Sequence, residues 1–403
     1  MMRLARSLFC LALLAAACTA QRASSGPVDS PHWLPTAALA PTSSPTASAS
    51  PSPSPALALA AGDWARGPES APATLVVYVD FQSPACAELA PTLTALLDAH
   101  PQDLRLIYRP FPLLTTHDKA SRAGQAAEAA GAQGAFWEMH DLLFARWSEW
   151  VDLPADLFAP WLVTAAGNLD LDVEAFRRDL TSGRYAPLME QAFDQGYRDG
   201  IPGAPVLYLN GALFLMGPTL PNLEAAVRLD LLSRRQYAAF PSMELDPSLT
   251  YRAHLSLSSG EVVLELFADR APLAVTSFIF LARQGWYDGV PFHRVTPGVL
   301  VESGDPSGTG LGGPGYVFDT ETDPDLTFSQ AGLVGMSSSG PGVCGSQFFI
   351  ALAPLPELDG SRTIFGRVIE GLELLRALEA RDPLADLIVP SQESIRRVTI
   401  EER

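Results

Sequence analysis

Three side chains late in the sequence have the types and spacing to act on a polypeptide. Arg294 stands just before the turn signal Pro297-Gly298 and the apolar residues 299–301, so a fixed cation projects from a strand end beside an apolar surface. In Gly345-Ser-Gln-Phe-Phe-Ile350, Gln347 and Phe349 are two residues apart. On a strand that spacing puts the amide and the aromatic ring on one face. His293 alternates to the opposite face from Arg294 and reads as structural. A second, weaker signal is Cys86, at the end of Asp80-Phe-Gln-Ser-Pro-Ala-Cys86. Of the 4 cysteines, Cys10 and Cys18 lie near the N-terminus, while Cys86 and Cys344 fall in different domains, so no disulfide can form within a domain. The 6 histidines are scattered, with no Cys-His cluster, so neither a metal nor any other cofactor is expected.

The segments that must position Arg294, Gln347 and Phe349 occur in a telling order: Gly260-Glu-Val-Val-Leu-Glu-Leu-Phe, Ala271-Pro, Phe278-Ile-Phe-Leu-Ala, Gly285-Trp-Tyr-Asp-Gly-Val, Gly304-Asp-Pro-Ser-Gly-Thr-Gly, Leu358-Asp-Gly and Ile364-Phe-Gly-Arg-Val. With these, residues 251–403 resemble the cyclophilin family of peptidyl-prolyl cis-trans isomerases. The resemblance implies a closed antiparallel β-barrel capped by helices, acting on proline-containing polypeptides. It gives catalytic roles to Arg294, Gln347 and Phe349, and substrate contacts to Val299, Leu300, Glu302, Ser338, Leu358 and Arg362. An X-Pro bond isomerises over tens to hundreds of seconds because rotation breaks the C–N resonance. In the twisted transition state the prolyl nitrogen gains a lone pair, and a rigid cation hydrogen-bonded to it stabilises that state above the ground state. Arg294 is the candidate cation, Gln347 the holder of the substrate backbone and Phe349 a wall of the proline pocket. Departures from the family pattern point to reduced or altered activity: Val299 for a pocket phenylalanine, Glu302 for a glutamine, Glu357 for a tryptophan, Arg362 for a histidine and Ser337-Ser-Ser339 for Ala-Asn-Ala.

Upstream, the apolar residues 74–79 read as a strand buried on both faces, followed by a helix over 87–99, a strand over 104–108 and an alanine-rich helix over 119–132 continued by 136–144. Helices over 172–180 and 185–198 and a strand at 203–211 complete a mixed sheet with helices on both faces. This order is similar to the DsbA-like branch of the thioredoxin fold, with a long helical insertion. In that family a Cys-Pro-x-Cys motif sits at a helix N-terminus, where the dipole activates the first thiol. Here Ser83 holds the first position and only Cys86 remains, so dithiol chemistry lacks its nucleophile. Pro205 matches the family's cis-proline. Ser83, Cys86 and Pro205 therefore define a degenerate thioredoxin site.

Composition limits the partners. A formal charge of -18, from 27 basic and 45 acidic residues, argues against nucleic acid and anionic lipid surfaces. Arg3 and Arg6 precede the apolar residues 8–17, a run too short to span a bilayer, and then Cys18. This pattern resembles a bacterial lipoprotein signal peptide over 1–18, with Cys18 lipidated and the anchor the only membrane contact; without lipidation the protein is secreted. Residues 19–72, rich in Pro, Ser, Ala and Thr, read as a disordered linker. The expected organisation continues with a DsbA-like domain over 73–237, a hinge over 238–250 and the cyclophilin-like domain over 251–403. The expected function is an extracytoplasmic prolyl isomerase assisting the folding of exported proteins. The alternative is a non-catalytic peptide-binding or chaperone protein in which both sites have lost their chemistry but keep their grooves.

Overall fold

The computed structural model describes residues 59–60, 62–340, 342–383 and 393–403, the side chains of 338–340 excepted. The expected signal peptide over 1–18, the expected lipidation site Cys18 and the part of the expected linker up to residue 58 lie outside the described residues.

The first domain is built on a five-stranded sheet of order β1-β3-β2-β4-β5, comprising β1 (Trp64–Arg66), β2 (Ala73–Val79), β3 (Leu104–Pro110), β4 (Val206–Leu209) and β5 (Ala212–Leu213). β2 pairs in parallel with β3 and antiparallel with β4, so the sheet is mixed. The apolar run of β2 is buried because both faces are covered. Leu75, Val77 and Val79 pack into one core, and Val76 and Tyr78 pack with Ile107, Phe111 and Ile201 on the other side. β1 corrects the expected extent of the linker: Trp64 pairs with Tyr108 at the sheet edge and its ring stacks on Phe136 at 4.3 Å. Composition around residues 60–72 hides this, because the burial of one tryptophan fixes the strand.

Helix α1 (Pro84–Ala99) starts at Ser83, whose Oγ accepts the Cys86 N–H at 3.4 Å, with Pro84 in the first turn where its missing N–H costs nothing. Cys86, Leu89, Leu93 and Leu96 form its buried stripe. The helical insertion comprises α2 (Ala120–Gly131), α3 (Phe136–Ala145), α4 (Trp147–Trp150), α5 (Ala155–Asn168), α6 (Val173–Ser182) and α7 (Ala186–Arg198). The expected continuous helix through 119–144 is broken at Gly134, which takes φ +81. The helix α5 was not read from the sequence, since Pro160 interrupts its pattern. α8 (Leu220–Ser233) closes the domain.

The second domain begins with the expected hairpin, β6 (Tyr251–Ser256) and β7 (Glu261–Leu266), in register from Tyr251↔Leu266 to Ser256↔Glu261. α9 (Pro272–Arg283) buries Val275, Phe278, Ile279 and Leu281 against the strands. The remaining elements are β8 (Val290–Pro291), β9 (Arg294–Thr296), β10 (Leu300–Ser303), β11 (Phe318–Asp319), β12 (Leu333–Gly340), β13 (Val343–Ala351), β14 (Ile364–Glu370), α10 (Leu372–Arg376), β15 (Ser394–Ile395) and β16 (Arg397–Glu402). Nine strands form one antiparallel sheet, in the path β16-β6-β7-β14-β12-β13-β10-β9 with β11 on β13. The closed barrel expected from the sequence is not seen as one continuous ladder, because β9 and β16 are not paired. The separate ladder β8–β15 joins the residues that immediately precede those two strands.

Residues 238–250 carry no helix or strand, yet they do not form a free hinge: Phe240, Met243, Leu245 and Leu249 pack on the core of the second domain.

Candidate functional site

Strand register assembles the isomerase candidates. Glu302 on β10 lies opposite Arg294 on β9 and Phe349 on β13, and Phe349 lies opposite Gly335 on β12. Directly opposed residues share a face, so Arg294, Glu302 and Phe349 form a row across three strands. Gly335 keeps that row open, since a Cβ there would come within 2.5 Å of the Phe349 ring. Phe349 is 2% exposed and heads a small apolar cluster with Phe328, Leu333, Leu355 and Ile364, against which Leu300 and Leu358 pack. The Phe328 and Phe349 rings lie 5.3 Å apart. The structure thus brings Leu300 and Leu358 to Phe349 but leaves Val299 outside the cluster and 38% exposed. Arg362 lies beside the following strand, its Nη1 donating to the Ser361 carbonyl at 3.5 Å. The Ser338 side chain lies outside the described residues.

Arg294 is 42% exposed at its side chain, and its Nε stands 2.8 Å from Glu302 Oε2. No aligned hydrogen bond accompanies the charge contact: among the described residues Arg294 Nε has no hydrogen-bond partner. Ser337 Oγ donates to the other oxygen, Glu302 Oε1, at 3.3 Å. The acid at position 302 therefore holds the arginine. His293 is fully buried, as its alternation to the opposite face requires, and neither ring nitrogen is hydrogen-bonded among the described residues. Burial holds its pKa below the usual range, opposed by the charges of Asp305 and Glu302.

Gln347 faces a loop. Its Nε2 donates to the carbonyls of Gly310 at 3.1 Å and Gly312 at 2.8 Å. Both amide hydrogens are committed, which leaves substrate contact to Oε1, an acceptor for a peptide N–H. The same loop is tied by the buried Asp305 carboxylate. That group accepts from Ser307 N and Oγ at 2.8 and 2.6 Å, from Thr309 Oγ1 at 3.2 Å and from Gly312 N at 3.0 Å. Asp305 lies in one of the ordered sequence segments, but its role in shaping the loop was invisible there because its partners are backbone and hydroxyl groups.

The thioredoxin-type candidates also converge. Ser83 Oγ donates to the Ala204 carbonyl at 3.0 Å, and the Ala204-Pro205 bond is cis. Cys86 lies in the first turn of α1, 2% exposed, and burial pushes its thiol up to about 11. Asp80, buried beneath it, accepts from Gln82 N and Leu113 N at 2.7 and 2.8 Å and pairs with His117 at 2.7 Å. Cys344 is buried as well, near Thr320 and Thr363. No group of His, Cys, Asp and Glu suited to a metal ion occurs among the described residues.

Comparison with known proteins follows the same division. Residues 252–402 match the family model for cyclophilin type peptidyl-prolyl cis-trans isomerase/CLD, and residues 60–228 match that for thioredoxin. The chain is 46% identical over 127 residues to peptidyl-prolyl cis-trans isomerase ppi1 of Schizosaccharomyces pombe, covering 31% of this chain and 82% of that one. It is 44% identical over 141 residues to peptidyl-prolyl cis-trans isomerase-like 1 of Homo sapiens, covering 34% and 83% respectively. A crystal structure of a cyclophilin type peptidyl-prolyl cis-trans isomerase from Cryptosporidium parvum aligns with TM-score 0.35 and 31% identity, covering 38% of this chain and 98% of that chain.

Proposed function

This chain belongs to the cyclophilin-type peptidyl-prolyl cis-trans isomerases and is an enzyme of that class, and we propose that it acts outside the cytoplasm on proline-containing segments of exported polypeptides. The observation that carries the catalytic part of this reading is the row Arg294–Glu302–Phe349, with a cation beside an apolar floor. A proline ring seated on Phe349, Leu300 and Leu358 places its nitrogen toward Arg294. As the amide twists, the prolyl lone pair develops and the guanidinium donates to it. That interaction is stronger in the transition state than in either planar isomer, which is what lowers the barrier. Gln347 Oε1 accepts a backbone N–H of the substrate and fixes its register. Glu302 holds the Nε edge of the Arg294 guanidinium and competes with the substrate for its charge, so the pair opposes turnover.

The extracytoplasmic placement rests on the sequence pattern of Arg3, Arg6, residues 8–17 and Cys18. In this reading Cys18 carries a lipid, and the first domain binds extended chains beside Pro205 without exchanging disulfides. Loss of membrane association in Cys18→Ser, followed by fractionation, tests the anchor.

Isomerisation of a short Ala-Pro peptide by the full chain, compared with Arg294→Ala, tests the catalytic site. Removing one preorganised donor to developing charge costs about 100-fold in rate, and kcat/KM is expected to fall by about that factor. Equal rates for the two proteins would remove Arg294 from the mechanism.

A further inference from the structure

The end of the first domain reaches into the second. Leu231 packs on the core of the first domain, whereas its neighbour Leu232 is buried in the core of the second. Beyond α8 the chain runs along the glycine-rich loop that carries the Gln347 contacts. Tyr237 N–H donates to the Pro314 carbonyl at 2.8 Å, and Gln236 Nε2 donates to the Gly313 carbonyl at 2.9 Å. Gly315 has φ +90, and a Cβ there would lie 2.5 Å from the Tyr237 carbonyl, so loop and linker touch backbone to backbone. The Tyr237 ring packs edge-on against Phe280 at 5.0 Å, and the Arg235 guanidinium stands 5.6 Å from the Trp286 ring, which fixes the linker to the body of the domain.

The loop over 310–315 is thus held from two sides. On one side its Gly310 and Gly312 carbonyls take both amide hydrogens of Gln347. On the other its Gly313 and Pro314 carbonyls take the linker's donors. Between them lies a cavity of about 410 Å³, lined by Gln236 together with Leu311, Tyr316, Ser337 and Gln347.

We infer that residues 232–237 are part of the isomerase site: Gln236 and Tyr237 are positioning residues that hold the 310–315 loop where it orients Gln347. The linker to the thioredoxin-like domain thereby helps set how the second domain grips a peptide. The inference rests on the isomerase reading and extends it to a segment outside the isomerase domain.

A double-mutant cycle in the full chain tests it, with kcat and KM measured on an Ala-Pro tetrapeptide and Tm followed as a check on folding. One lost neutral hydrogen bond corresponds to roughly a threefold effect. Gln236→Ala is expected to raise KM about threefold while kcat and Tm hold. In a Gln347→Ala background the same substitution is expected to change nothing further, because the group it orients is gone. The same fold-change in both backgrounds, or an unchanged KM in the first, would overturn the inference. Tyr237→Pro, which removes the N–H donated to Pro314, provides a second approach, and Gln236→Ala decides the matter if that variant unfolds. Arg294→Ala separates the two levels of the argument. If it abolishes turnover while Gln236→Ala has no effect, the linker role fails and the isomerase reading stands. If the unaltered chain does not turn over the peptide, both fail.

Discussion

The two domains each keep the scaffold of a reactive site, and they differ in whether a charged group reaches solvent there. In the first, the helix N-terminus, the cis-proline and the buried Asp80 are all in place around Ser83 and Cys86. The remaining thiol is buried and its pKa is pushed up to about 11, so it is a neutral, sheltered group at physiological pH. In the second, Arg294 is 42% exposed at the edge of an apolar floor and held by Glu302. A fold can therefore preserve the geometry of a site after its chemistry has gone. What separates the two cases is one side chain at the helix start and the accessibility of the ionised group.

Restoring the missing nucleophile would break this contrast most severely. Ser83→Cys places a thiol at the N-terminus of α1, where the helix dipole favours the thiolate and a partner three residues on completes a dithiol. The variant is expected to form an internal disulfide and to reduce insulin, where the unaltered chain does neither; mass spectrometry and insulin turbidity read this out. An inert variant would show that the Asp80 and Pro205 surroundings no longer support redox chemistry.

A smaller effect sharpens the other half. Glu302→Gln releases Arg294 from a partly exposed ion pair, a class of contact worth about 0.2–1 kcal/mol. kcat/KM on the Ala-Pro peptide is expected to rise about two- to fivefold. A fall would mean that the carboxylate helps to orient the guanidinium for donation.

The smallest effect is in pH dependence, and the two sites differ in sign. The folded-state thiol of Cys86 titrates above its usual 9.0, so its contribution to stability is complete below about pH 9 and is lost as pH rises toward about 11. His293 has its folded pKa lowered by burial, so its contribution is complete above the usual 6.5 and is lost as pH falls. Urea unfolding across pH is expected to lose part of its alkaline slope in Cys86→Ala, the buried tyrosines Tyr108 and Tyr287 carrying the rest, and part of its acid slope in His293→Asn. Unchanged slopes would place the proton uptake and release elsewhere.

Much of this was legible in the sequence because it depends on local pattern. The hairpin β6–β7, the α9 stripe and the buried run of β2 follow from periodicity, and the absence of a first cysteine at Ser83 is visible by inspection. β1 and α5 were not legible. A three-residue edge strand has too few residues to show a period, and Pro160 breaks the α5 pattern while the surrounding helices bury its apolar face. The candidate site residues Arg294, Gln347 and Phe349 could be named from their types and order, but not their partners. That Gln347 spends both amide hydrogens on Gly310 and Gly312, or that Leu232 crosses into the neighbouring core, involves pairings separated by 35 or more residues.

The sequence by itself determined which side chains are present and which way they alternate along each strand. It therefore settled the family, the loss of dithiol chemistry and the face on which Gln347 and Phe349 stand. Only the tertiary structure decided the cross-strand register that sets Glu302 between Arg294 and Phe349, the burial that neutralises Cys86 and the docking of the interdomain segment on the 310–315 loop. Each of these depends on contacts between segments distant in the chain, and the free energy of such contacts is set by burial and geometry that exist only once the segments have packed.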